Sequence, residues 1–184
     1  DQRIRKKSLN RIKTKHVNIL PSGNSSIESI LKTLPGVSST NELSSQYSVR
    51  GGSFDENLVY INGIEIYRPF LIRNGKQEGL SLINPDMVGN ILFSAGGFEA
   101  KYGDKMSSVL DITYKKIRKS ETTFNLSLLG ASFSTGGSNK KISYLLGARY
   151  KSNQYVLNSL DTKAEYKPKF YDIQTLINYK INKK

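Results

Sequence analysis

The sequence of 184 residues has no cysteine, no tryptophan and a single histidine, His16. Without cysteine there is no disulfide framework, no thiolate nucleophile and no Cys-ligated zinc or iron–sulfur site. One histidine excludes any site that needs two and leaves a poor candidate for a general base. No apolar run approaches the roughly 20 residues of a membrane-spanning helix. Residues 1–7 are not followed by the apolar core of a secretion signal. A Walker A loop, a dinucleotide-binding glycine pattern and a His-Glu-x-x-His motif are all missing. No catalytic residues, no metal site and no cofactor site are therefore predicted. The acidic pair Asp55 and Glu56, and Asp104 beside Gly103, read as turn chemistry.

The charge is far from balanced, with 28 Lys and Arg against 15 Asp and Glu, a net +13. Such an excess suggests nucleic acid or an anionic surface as partner. Its distribution argues otherwise. Residues 1–20 carry 7 basic and 1 acidic side chains, whereas residues 21–100 carry 5 and 8. The remaining basic residues are Lys101, Lys105, a run in 115–119 and others along the C-terminal third. No single basic recognition helix emerges, and residues 1–20 read as a flexible, solvated lead-in.

Local signals organise the middle of the chain. Ser25 and Glu28 have capping-box spacing, and Ile27, Ile30, Leu31 and Leu34 recur on one helical face. This predicts a helix over 25–34, stopped by Pro35 and Gly36. Residues 47–50 read as a strand ending at Gly51 and Gly52. Apolar runs at 58–61 and 64–67 flank Asn62-Gly63, the strongest short-range hairpin signal. A loop of about a dozen residues follows, 69–80, a length that is usually functional or disordered. Asn84-Pro85-Asp86 starts a short helix, with cap, first-turn proline and first-turn acid in order. Strands are predicted at 90–95 and 107–114. The sum is an α+β domain with short helices and a small mixed sheet.

After Ser120 the pattern becomes strict alternation. In 141–151, Ile142, Tyr144, Leu146, Ala148 and Tyr150 share one face. In 171–181, Tyr171, Ile173, Thr175, Ile177, Tyr179 and Ile181 do the same. A third segment, 124–135, alternates less cleanly. Outer-membrane barrel strands have this length, this apolar face and these terminal tyrosines. A half-buried antiparallel sheet in water shows the same alternation, so both readings stand at this point.

Three ordered motifs decide the family that the sequence resembles. Residues 27–37 (IESILKTLPGV), 47–66 (YSVRGGSFDENLVYINGIEI) and 83–112, with Gly96-Gly97-Phe98-Glu99-Ala100-Lys101-Tyr102-Gly103 at its heart, follow one another at the right spacing. Together they resemble the plug domain of TonB-dependent outer-membrane receptors, in particular the branch common in Bacteroidetes. The hairpin tip departs from the family's usual Asp-Gly, with Asn62-Gly63 serving the same turn. The resemblance implies a lead-in over 1–20, a plug over 21–118, and over 119–184 the first roughly three antiparallel strands of an incomplete transmembrane β-barrel. It also implies a place in the cell outer membrane and import of a substrate bound outside, driven from the inner membrane.

Partners follow from the resemblance in the same way. They are the TonB complex of the inner membrane, the remainder of the chain's own β-barrel and an imported small molecule or oligosaccharide. A surface lipoprotein lid is left open, and no nucleic acid is implied. Tyr67, Arg68, Phe70, Arg73 and Lys76, in the loop after Ile66, combine aromatic surface with positive charge and suit an anionic or sugar-like ligand. Residues 39–46 form a second candidate loop. Arg50, Gly51, Gly52 and Asp111 are the candidate contacts between plug and barrel wall. An exposed loop arginine and a solvated strand aspartate are the plainer alternatives for Arg50 and Asp111.

Three strands cannot close a barrel, which takes at least about eight. The chain is therefore expected to be part of a longer protein. No TonB box is legible in residues 1–20 and it is expected upstream. An outer-membrane scaffold or signalling component with the same fold is a second reading. A basic soluble module for nucleic acid or an anionic surface is a third. Against the third, the tyrosines share a face with Ile and Leu rather than with Lys and Arg.

Overall fold

The hairpin predicted at Asn62-Gly63 anchors a five-stranded sheet in the computed structural model, which describes residues 10–12, 26–39, 44–70, 81–127, 129–152 and 169–181. Strands β4 (Asn57–Ile61) and β5 (Ile64–Glu65) pair antiparallel across that turn. Asn62 and Gly63 hold φ of 53° and 80°, the left-handed values that this two-residue turn requires. Asn62 also fastens the tip to the sheet, because its Oδ1 accepts the Tyr114 N–H at 2.9 Å.

Two longer strands complete the centre, β6 (Val88–Ser94) and β7 (Ser108–Tyr114). The latter runs parallel to β4 and antiparallel to β6. Both faces of the centre are covered. Val59, Leu110 and Phe93 share one row, and Ile112 and Ile91 the next, all buried. On the other face Leu58 and Val109 pack with Tyr102, flanked by Tyr60 and Phe98. Tyr102 lies in the glycine-bounded segment 96–103, so that motif folds a ring back onto the sheet.

Three expectations are corrected in this part. Residues 1–20 are not a lead-in throughout. Asn10–Ile12 forms β1, which pairs antiparallel with β6 and brings Ile12 onto Ile91. An apolar residue among cations gained a neighbour at an open sheet edge. The helix α1 spans only Ile27–Leu31, and its N-cap is Ser26, whose Oγ accepts the Ser29 N–H at 3.3 Å. Ser25 lies outside the described residues. Glu28, singled out for its capping-box spacing, is buried. Beyond α1, β2 (Val37–Ser38) and β3 (Ser48–Val49) form a small ladder. Asn84 caps the short 3-10 helix Pro85–Met87 as expected, with its Oδ1 accepting the Asp86 N–H at 3.1 Å.

Lys115–Lys184 is a second unit, described by itself. It is one antiparallel sheet in the order β11-β10-β9-β8. The strands are β8 (Glu121–Ser127), β9 (Gly130–Ser138), β10 (Ile142–Ser152) and β11 (Lys169–Tyr179). The segment 124–135, expected as one strand, is two, so the described wall has four strands rather than three. The chain reverses where Ser127 pairs with Gly130. A Cβ on Gly130 would lie 2.0 Å from the Tyr150 carbonyl oxygen, so the neighbouring strand can approach only a glycine.

Candidate functional site

A recess of about 450 Å³ opens between the end of β5 and the segment 53–58. It brings together three of the five predicted ligand-facing residues, Tyr67, Arg68 and Phe70, with Phe54. The other two, Arg73 and Lys76, lie outside the described residues, as do 40–43 of the second candidate loop. Sequence reasoning missed Asp55, Glu65 and Lys105, which also line the recess. Lys105 arrives from the loop before β7, where its Nζ donates to the Asp55 carbonyl oxygen at 2.5 Å. No local sequence signal relates positions 55 and 105. Tyr67 is 84% exposed, a large ring offered to solvent on the rim. The recess therefore carries two cations, two carboxylates and three aromatic rings.

The Arg-Gly-Gly corner lies at the end of β3. Arg50 is exposed and holds a left-handed φ of 50°, which costs a non-glycine residue about 1 kcal/mol. Its N–H donates to the Gly36 carbonyl at 2.8 Å, and its side chain runs past Gly36 towards Gly96. Among the described residues its guanidinium has no ion pair. Gly52 is needed for a different reason. A Cβ there would meet Ser107 Oγ at 1.7 Å and Glu56 Oε2 at 2.8 Å, the two atoms that hydrogen-bond to each other at 2.8 Å. Gly52→Ala is expected to destabilise the protein by about 2 kcal/mol through overpacking, with the loss of that bond. The urea midpoint of the whole protein measures it, and an unchanged midpoint would contradict the packing.

Asp111 is engaged inside this unit. Its Oδ2 accepts the Tyr102 hydroxyl at 2.6 Å, and Lys101 sits 4.5 Å above the Tyr102 ring. Burial, then the bond to Asp111, raises the Tyr102 hydroxyl above its ordinary pKa. Burial and the charge of Glu28 push the Tyr47 phenol up as well. Both rings stay neutral at physiological pH and serve as packing and hydrogen-bonding groups. Among the described residues no cluster of His, Asp or Glu suits a metal ion.

The second unit inverts the polarity of a soluble sheet. Its exposed large side chains include Phe124, Leu126, Ile142, Tyr144, Tyr171, Ile173, Ile177 and Tyr179. Registers place them on one face, with Phe124 beside Phe133, Tyr144 beside Ile177 and Tyr150 stacked on Tyr171 at 4.9 Å. The opposite face carries Ser132, Ser134, Gly136, Gly147, Arg149, Asp172 and Gln174, together with the buried Leu145 and Phe170. Arg149 is 5% exposed and clasps Asp172 with two bonds, 2.7 Å from Nε and 2.9 Å from Nη2. Gln174 donates to the same carboxylate at 3.0 Å. A sheet that buries its charges and exposes its isoleucines has its apolar face towards lipid. Of the two readings of the alternation, the barrel wall is the one with this polarity.

The molecule thus pairs a small mixed-sheet domain with antiparallel wall strands of a transmembrane barrel. The family model described as TonB-dependent Receptor Plug Domain matches residues 8–109, more than half of the chain. The chain belongs to this family of TonB-dependent receptors, whose members are outer-membrane proteins, and the outer membrane is its location. No curated protein matches it in sequence.

Solved structures share the fold. The siderophore receptor PirA from Pseudomonas aeruginosa is 19% identical with a TM-score of 0.64, covering 95% of this chain and 31% of that one. For PirA from Acinetobacter baumannii the values are 19%, 0.65, 95% and 29%. For the outer-membrane transporter YddB from Escherichia coli they are 16%, 0.61, 95% and 31%. This chain spans about three-tenths of the length of those receptors. They are transport receptors rather than enzymes, and nothing in the matches singles out the Bacteroidetes branch.

Proposed function

We propose that this chain is the plug and first wall strands of a receptor that binds a substrate outside the cell and imports it with energy from the inner-membrane TonB complex. The carrying observation is a plug fold continuous in one chain with a sheet whose apolar face is exposed. The remaining strands of its own barrel would complete the wall, since β8 and β11 are open edges among the described residues. No bond in the substrate need break, and we assign no catalytic residue. Residues up to 118 would form the plug and 119–184 the start of the barrel.

Tyr67, Arg68 and Phe70 are the proposed ligand contacts, with Arg73 and Lys76 continuing the same loop. Of the anionic and sugar-like ligands suggested by the sequence, the recess favours the second. Asp55 and Glu65 would repel an anion, whereas cations and carboxylates together can bond several hydroxyls while Tyr67 and Phe70 cover an apolar ring face. The related structures include siderophore receptors, so ferric siderophores are the competing class. Arg50 and Gly51 are proposed to meet carboxylates lining the lumen of the completed barrel, where the uncommon backbone of Arg50 would present its donor fork. Gly52 and Asp111 would support that surface from behind.

The test is accumulation of labelled oligosaccharides, ferric siderophores and cobalamin by cells that produce the whole receptor, with and without functional TonB. The expected result is TonB-dependent uptake of an oligosaccharide, with Arg68→Ala reducing uptake at low substrate by about tenfold, the value of a charge-assisted hydrogen bond. Binding without TonB-dependent uptake would replace import by a scaffold or signalling role. Uptake indifferent to Arg68 would move the ligand site elsewhere.

A further inference from the structure

One end of the wall sheet is strongly basic. The segment before β8 brings Lys116, Arg118 and Lys119, the β9–β10 turn brings Lys140 and Lys141, and Lys180 follows β11. Pairing fixes these at the same end. Ile142 faces Tyr179, Ser143 faces Ser138, and the Lys180 N–H donates to the Lys141 carbonyl at 2.8 Å. Ile117 reaches the same region, where it packs beside Gly136. All six cations are exposed and have no ion pair among the described residues. The nearest acid on that end, Glu121, is already bonded to Lys115 at 2.9 Å. Tyr144 and Tyr179, exposed on the apolar face, lie at the same end.

Six unpaired cations crowded at one rim repel one another unless an anion joins them. The rim continues directly from the lipid-facing surface through two tyrosines, the residues that favour the headgroup level. The group that sits at that depth and carries the opposite charge is a lipid phosphate. The turn at this end takes residues 139–141, whereas the other end holds, besides the two-residue β8–β9 turn, the sixteen-residue β10–β11 connection over 153–168. Short turns belong on the periplasmic side of outer-membrane barrels and long loops outside. We infer that this rim is a binding surface for anionic phospholipid headgroups of the periplasmic leaflet, with phosphatidylglycerol as the simplest ligand. The inference rests on the lipid-facing reading of the wall sheet.

The test uses the whole receptor in detergent, exposed to an equimolar mixture of phosphatidylglycerol and phosphatidylcholine and examined by native mass spectrometry. The expected result is retention of phosphatidylglycerol over phosphatidylcholine by about tenfold, given that each surface cation attracts an anionic lipid appreciably. The combined variant Lys116→Gln, Arg118→Gln, Lys119→Gln, Lys140→Gln and Lys141→Gln should lose that preference. Lys169→Gln, at the opposite end, should keep it. These are exposed positions, and insertion into vesicles checks that each variant folds.

Equal retention of the two lipids by the unaltered protein would overturn the inference, as would a preference that survives the combined variant. A second arm offers lipid A. Its retention in place of phosphatidylglycerol, lost in the same variant, would assign the rim to the outer leaflet and overturn the phospholipid assignment. Failure to insert into vesicles at all would overturn the lipid-facing reading itself.

Discussion

Arg149→Ala is expected to lower the unfolding free energy of the whole protein in lipid vesicles by about 3–5 kcal/mol. Arg149 and Asp172 face each other across β10 and β11, with side chains 2% and 9% exposed. Removing the guanidinium leaves a buried carboxylate that keeps the hydrogen bond from Gln174 but loses its counter-charge. The penalty comes from that uncompensated charge rather than from the value of the ion pair. For the same reason the double variant Arg149→Met and Asp172→Leu should be far milder, because both charges leave together. Urea titration of the three proteins separates these cases. If the single and double variants cost the same, the pair is not the buried clasp described here.

Ile173→Arg should cost about 2–4 kcal/mol, depending on its depth in the bilayer. Ile173 is 76% exposed, sits on the outer row with Ala148, and lies between the tyrosine tiers at 171 and 179. Those tiers are eight residues apart on β11, about 27 Å along a strand, which suits a tilted strand across the roughly 25 Å apolar band of such barrels. If this face were wet, the same substitution at so exposed a position would stay within about 0.5 kcal/mol. The two environments therefore differ by several-fold in the measured effect. Gln174→Arg, one residue along on the opposite face, serves as the comparison and should cost much less.

Much of the small domain was legible because its signals are local. Asn62-Gly63 dictates its own turn, and Asn84-Pro85-Asp86 its own cap. What the sequence hid was long-range. Ile12 finds Ile91 only once β6 offers an edge. Tyr102 finds Asp111 only when the glycine-rich segment folds back. Lys105 and Asp55 are 50 positions apart, and no spacing rule joins them.

In the wall, alternation located β10 and β11 well because a membrane strand repeats its environment every second residue. It failed at 124–135 because the reversal before Gly130 is apolar and lacks the Asn, Asp or Pro that usually marks a turn. Alternation alone also left the direction of the sheet open. Burial of Arg149 and exposure of Ile173 settled which face meets lipid.

The most direct test of the central claim, a plug joined to a membrane wall, exploits the absence of cysteine. Single substitutions along β11, from Tyr171→Cys to Tyr179→Cys, allow one spin label at a time in the whole protein reconstituted in vesicles. The expected result is alternation. Labels at 171, 173, 175, 177 and 179 should be accessible to oxygen dissolved in lipid, and labels at 172, 174 and 176 should not. Uniform access to a water-soluble relaxant, or alternation of the opposite phase, would contradict a lipid-facing wall and with it the receptor reading.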